Sequence, residues 1–558
     1  MRFLMVRADR PTEAISSRKW GNNQIMRKTI VLLAATAFAA GMSGGAHAQT
    51  LVYCSEGSPE GFDPAPFTSG TTFDAASQPL YNRLVQFIPG TSQVGDGLGL
   101  AESWEVSDDG TAYTFHLKDG VQFHSTDYFT PTRTLNADDV IFSFERQRDP
   151  SNPWFEYATG VSWEYFNAMS MPDLIDSIEK IDDMTVRFNL TRSEAPFIAN
   201  MAMDFASIVS KEYADQLDAA DNRVQLNQLP IGTGPFQFVN YQQDSTIRYQ
   251  AFDNYWGPAP GIENLIFSIT VDRAVAAQKL IAGECHIMAY PNPADVAMLQ
   301  ADPNIDVEEQ EGLNVGYLAY NTQMAPFDNP QVRVALSMAI NKAAIIEAVF
   351  EGAGQAAMNP IPPTMWSYNT AIVDHTYDPV AARAILDAEG VEGLTMNVWA
   401  MPVARPYNPN ARRMAELIQA DFAAVGVTAE IVSYEWGEYL ARSTEIDRDG
   451  AVLLGWTGDN GDPDNFLAVL LGCDAVGGAN RAQWCNEEFN DLLLQAKVTA
   501  DQAERTALYE QAQVIFHEQA PWTPIAHSLV FMPMRTNVEG YVVNPLGLHQ
   551  FDNVTLAE

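Results

Sequence analysis

The sequence predicts an α/β protein of more than one domain, and three observations carry that reading. Apolar strands over 394–402, 427–434 and 451–456 are separated by helical stretches over 410–425 and 437–443. A strand–helix–strand–helix–strand run implies parallel strands, because a parallel pair needs a crossover. The first third instead alternates apolar and polar residues on either side of a tight turn, as antiparallel hairpins do. Finally, 558 residues exceed what one hydrophobic core organises, so two to four domains are expected.

The elements follow in order. Met26-Arg27-Lys28 is a basic start, 30–40 is apolar except for Thr36, and Ala46-His47-Ala48 is a small-x-small cleavage site. Residues 1–48 therefore read as an export signal cleaved after Ala48, too short in its apolar part to span a bilayer. Residues 1–25 read as an over-called start, or as a basic extension ahead of Met26. Cys54 follows Tyr53 rather than a small residue, which argues against a lipidated cysteine. A short strand at 51–53 runs into a loop over 55–72 rich in Gly, Pro, Ser and Thr. Asp109-Gly110 is a hairpin turn, and Tyr113, Phe115 and Leu117 put one strand face inside. The segment 120–124 is expected to continue that sheet. Asn136 caps a helix, and 184–190 is another alternating strand. Asn329-Pro330 opens a helix whose apolar face is Val332, Leu336, Ala339 and Ile340. Asp378-Pro379 opens another that stops at Gly390, and Gly426 ends the 410–425 helix.

The charge balance is acidic, 71 Asp+Glu against 32 Lys+Arg, which repels nucleic acid and anionic membranes and argues against both as partners. The first 48 residues carry seven Lys/Arg and only two Asp/Glu, so the chain beyond them is more acidic still. Four cysteines in an exported chain allow three pairings. Cys473 and Cys485 are close in sequence and both follow the acidic loop described next, which favours that pair and leaves Cys54 with Cys285.

The strand over 451–456 stops abruptly in Thr457-Gly458-Asp459-Asn460-Gly461-Asp462-Pro463-Asp464. In an open parallel sheet ligands bind at the carboxyl edge. Arg405 lies three residues past the predicted end of its strand at Pro402, and Asp459 three past Trp456. One edge thus collects a cation and an anion, the pair that a zwitterionic peptide needs: a carboxylate for its amine, a guanidinium for its carboxylate. A dipeptide spans about 7 Å, so two such groups at fixed separation would measure ligand length. Spacing alone does not choose among Asp459, Asp462 and Asp464. Tyr434 and Trp436, at the end of the middle strand, read as core aromatics. Gly41-Met42-Ser43-Gly44-Gly45 fits a hydrolase elbow but has no strand before it. The histidines do not cluster at metal-ligand spacing, and the aspartates of 459–464 lack the glycine and distal Glu of a calcium loop. No metal, no cofactor and no catalytic residue is expected, and an exported peptidase is the least favoured reading.

Several stretches carry a family pattern. Trp104 to His124 reads Trp-x-x-Ser-x-Asp-Gly-x-x-Tyr-x-Phe-x-Leu-x-x-Gly-Val-x-Phe-His when aligned by motif. Gly232-Thr233-Gly234-Pro235-Phe236, Asn254-Tyr255-Trp256-Gly257 and the 317–342 segment with Val332-Arg333-x-Ala335 join it. Over essentially all of 50–558 the chain resembles the peptide- and nickel-binding class of bacterial ABC-importer solute receptors, solute-binding protein family 5. The 53–62 and 456–465 stretches resemble its dipeptide-binding members in particular. The resemblance implies a two-lobed periplasmic-binding-protein-like fold with a hinge and an extra domain in the first lobe. The implied division is 49–80, 231–311 and 530–558 for the lobe I core, 81–230 for the extra domain and 312–529 for lobe II. It implies a dipeptide ligand contacted by Thr68, by Arg405, Pro406 and Tyr407, and by Trp456, Thr457, Gly458 and Asp459. It singles out Asp459 among the three aspartates. It also implies a monomer in the periplasm that serves inner-membrane ABC permease subunits, with a chemoreceptor as a further partner. Haem, or longer peptides, are the alternative ligands within the class.

Overall fold

The structure is a computed structural model that describes residues 49–158, 161–499 and 501–557. The signal peptide expected over 1–48 lies outside these residues. Ala48–Glu558 forms one compact unit.

The fold is a two-lobed α/β structure built on a continuous twelve-stranded sheet. On one side lie the three strands read as parallel: Thr428–Val432, Thr395–Trp399 and Ala451–Thr457, in that spatial order. Thr395–Trp399 runs parallel to both neighbours, as the crossover helices Ala411–Ala424 and Trp436–Ser443 require. Six of the seven residues of Ala451–Thr457 are buried, because the strand is covered on both faces. Asn314–Tyr320 pairs antiparallel with it and is buried throughout. On the other side lie Thr50–Cys54, Asn264–Ser268, Thr246–Ala251 and Phe236–Gln242.

One fourteen-residue strand, Trp522–Arg535, belongs to both sides. Its first half pairs with Asn314–Tyr320, and from Leu529 onward it pairs with Ile305–Glu311. At the changeover, Gly312 N–H donates to Ser528 O at 3.0 Å and the Asn314 side chain accepts from Ser528 N–H at 3.1 Å. The Ser528 hydroxyl donates to Pro406 O at 2.6 Å, which ties the changeover to the loop carrying Arg405.

A separate four-stranded antiparallel sheet, Ala101–Val106, Ala112–Leu117, Thr185–Leu190 and Ile175–Asp182, occupies the first third. The hairpin turns at Gly110, whose φ of +68° suits glycine. Asn136 caps Ala137–Arg148 in a full capping box with Asp139. The expected continuation over 120–124 is absent. Those residues satisfy their backbones singly instead, His124 N–H to Gly232 O and Leu135 N–H to Val121 O, both at 2.9 Å. Apolar alternation there records burial of Val121 and Phe123 against the core rather than pairing in a ladder. Both disulfides form as expected, Cys54–Cys285 with Cα atoms 5.8 Å apart and Cys473–Cys485 with Cα atoms 4.7 Å apart.

Candidate functional site

A cavity opens at the carboxyl edge of the three parallel strands and encloses about 740 Å³, its mouth included. Thr68, Arg405, Pro406, Tyr407, Trp456, Thr457 and Asp459 all line it. Gly458 is the exception among the expected site residues. Its amide donates to Leu313 O at 2.7 Å, and a Cβ there would meet the Phe466 ring at 2.7 Å, so the residue packs inward and sets the turn that presents Asp459. Gly455 has a similar origin: the Tyr407 ring occupies the place a Cβ would take in an otherwise apolar strand.

The three aspartates of the loop have different surroundings. Asp462 accepts from Arg505 at 2.7 Å, and Asp464 lies 3.6 Å from Lys497, both away from the cavity. Asp459 faces the cavity, is 8% exposed, and among the described residues has no cationic partner. The Tyr165 hydroxyl donates to its Oδ2 at 2.5 Å, and the Asn465 amide oxygen accepts from its backbone N–H at 2.8 Å. Burial pushes the Asp459 carboxyl up to about 8, against the opposing pull of the Tyr165 hydrogen bond. Burial, and then the charge of Asp459, raise the Tyr165 hydroxyl well above its usual range, so it remains a donor. Asp459 is thus a buried carboxyl on the cavity wall with a hydroxyl donor and, among the described residues, no cation.

The same cavity wall carries the Arg405 guanidinium, which is not idle. It is 5% exposed and forms an ion pair with Glu56 and a hydrogen bond with Thr71. It stacks near Trp436 and Tyr290, with Cζ 5.3 Å and 5.7 Å from the ring centroids. Burial works against the charge of Glu56, but Arg405 and Arg273 outweigh it and hold the carboxyl below the ordinary range. Arg405 is the ion-pair partner of Glu56, while Arg273 acts on it from farther off, its own donors going to the Val271, Ala289 and Ser55 carbonyls. Burial raises the neighbouring Asp74 carboxyl well above normal and lowers His549 to about 4, which leaves His549 uncharged near neutral pH.

Sequence reasoning missed Glu56, Thr71, Tyr165 and Arg481, and placed Trp436 in the core. Trp436 is on the cavity wall, its indole N–H 3.3 Å from Ser69 Oγ. Tyr434 does not line the cavity and stacks on Arg442 instead, 4.0 Å from Cζ to centroid. Glu56 carried no distinguishing signal, being one of three acids, with Glu60 and Asp63, in the loop after the first strand. Tyr165 carried none, because it comes from the helix Glu164–Ala168 nearly three hundred residues from its partner.

The model for bacterial extracellular solute-binding proteins, family 5, matches residues 98–478. The chain belongs to that family. Among family 5 relatives, the dipeptide-binding protein of Escherichia coli (strain K12) is 57% identical over 517 residues, covering 92% of this chain and 96% of that protein. Di/tripeptide-binding protein 1 of Pseudomonas aeruginosa (strain UCBPP-PA14) is 53% identical over 515 residues, covering 92% and 95%. The crystal structure of a dipeptide binding protein from Pseudoalteromonas sp. SM9913, in complex with Met-Leu, superposes with a TM-score of 0.87 at 41% identity. It covers 91% of this chain and all of that one.

Proposed function

We propose that this family 5 protein is a periplasmic receptor that captures dipeptides and delivers them to an inner-membrane ABC permease. The observation that carries the reading is Asp459: a buried carboxyl on a cavity wall, oriented by Tyr165 and without a cationic partner among the described residues. A peptide ammonium completes it. The ligand carboxylate goes to Arg405, whose charge Glu56 offsets and the more distant Arg273 supports. Arg405 is shared rather than free: Glu56 engages Nη1 and Thr71 engages Nη2, and the donors left over serve the ligand. Thr68, Pro406, Tyr407, Trp456 and Thr457 shape the walls around the peptide backbone. Binding is non-covalent, with no catalytic step, metal or cofactor, and the working form is a monomer.

The division into 49–80, 231–311 and 530–558, with 81–230 inserted and 312–529 as the second lobe, is proposed on the same footing. Its two lobe boundaries fall beside the Gly312–Ser528 contact, and a hinge there would close the lobes over the ligand and exclude water from both ion pairs. Export by the 1–48 signal and docking of a chemoreceptor on the closed form complete the proposal.

The test is calorimetric titration with Ala-Ala, N-acetyl-Ala-Ala, Ala-Ala amide and tri-Ala. Tight binding of the free dipeptide alone supports the two-ended clamp. Equal binding of the amide or the tripeptide removes the carboxylate role from Arg405, and failure of all four rejects the dipeptide reading. Incubation of the protein with Ala-Ala is expected to release no free alanine.

A further inference from the structure

Two arginines line the cavity, and the protein uses them differently. Arg405 is engaged by Glu56 and Thr71. Arg481 is 3% exposed, yet it spends one donor, Nη1, on Gly478 O, and its Nε has no partner among the described residues. The carboxylate paired with it, Glu164, stands 3.6 Å away through Oε2, outside hydrogen-bond reach, and that oxygen has no donor of its own. A buried guanidinium left this incompletely satisfied is costly in a folded protein. On a cavity wall the cost is recovered when a ligand brings an acceptor.

The position is also rigid. Arg481 sits inside the loop closed by Cys473–Cys485. The Asn480 side chain donates to Gly472 O at 3.1 Å and Trp484 O at 2.7 Å, and Arg448 donates to the Arg481 carbonyl at 2.8 Å. A guanidinium held in this way loses little freedom on binding.

We propose that Arg481 is a third charged recognition point, which receives the side-chain carboxylate of a dipeptide containing Glu or Asp. The inference rests on the dipeptide reading above. That reading assigns the ligand amine to Asp459 and the terminal carboxylate to the Arg405 end, so the acceptor left for a buried guanidinium is an acidic side chain. The chain carries a net charge of −39, which repels acidic ligands at a distance. A buried cation acts where salt does not screen it, and offsets that repulsion at the point of contact.

The test compares Ala-Glu with Ala-Gln, and Glu-Ala with Gln-Ala, on the exported protein and its Arg481→Met variant. In the unaltered protein, one of the acidic peptides should bind within about threefold of its neutral counterpart. Arg481→Met should weaken that acidic peptide at least tenfold more than the neutral one. Glu164→Gln, which removes the competing internal acid and keeps the arginine, should shift the same ratio in favour of the acidic peptide, and it tests the idea even if Arg481→Met fails to fold. Ratios unchanged in both variants overturn the proposal while leaving the dipeptide reading intact. Failure of Ala-Gln and Gln-Ala to bind the unaltered protein overturns the dipeptide reading, and this inference with it.

Discussion

Dipeptide capture should release protons, and the amount follows from Asp459. With its carboxyl near 8, roughly nine in ten Asp459 side chains are protonated at pH 7 in the ligand-free protein. A peptide amine, near 8 as well, is about nine-tenths charged at the same pH. In the complex both are ionised, so about 0.9 proton leaves the carboxyl and about 0.1 joins the amine, a net release of about 0.8. Ionising the carboxyl at pH 7 costs about 1.4 kcal/mol, near tenfold in affinity. Because protons are released, affinity should rise almost tenfold from pH 6 to pH 7, flatten near 8, and fall above it as the free amine loses its charge. The assay is calorimetry with Ala-Ala at pH 7 in buffers of low and high ionisation enthalpy, whose difference in heat counts the protons. Tyr165→Phe removes the hydrogen bond that favours the charged form, so the rising limb should move to higher pH. Heat independent of buffer, with flat affinity between pH 6 and 7.5, would refute the assignment of Asp459 to the ligand amine.

Other outcomes follow from the same geometry. Asp459→Asn should weaken dipeptide binding more than a hundredfold and yet stabilise the ligand-free protein. An acid whose folded pKa is raised loses stability as pH climbs from its unfolded value near 3.9 to about 8, and at pH 7 the loss is roughly 4 kcal/mol. Thermal melts at pH 5 and pH 7 should therefore separate the two proteins more at pH 7. Glu56→Gln and Arg405→Met should each destabilise by about 3–5 kcal/mol, because each leaves a buried charge unpaired, and the double variant should lose less than their sum. Denaturant titration of the four proteins measures that coupling. Replacing Cys473 and Cys485 by serine should cost about 3 kcal/mol, the closure entropy of a loop of this length, and the loss should appear as a lower denaturation midpoint.

The sequence by itself determined most of the scaffold. Period-2 and period-3.6 patterns are local, so the strands 395–399, 428–432 and 451–457 were readable, and with them the carboxyl edge where the cavity lies. Arg405 and Asp459 were legible because each follows a strand in that run directly. The segment 120–124 misled for the opposite reason: alternation records burial, and burial arises without a ladder partner. What only the tertiary structure decided is which charges meet. Glu56 reaches Arg405 across 349 residues and Tyr165 reaches Asp459 across 294, and neither approach leaves a local trace. Asp459, Asp462 and Asp464 look alike in sequence. They differ because Arg505 and Lys497, from helices folded back later in the chain, neutralise two of them and leave the third facing the cavity. A carboxylate's role depends on its burial and its partners, and both are properties of the packed structure.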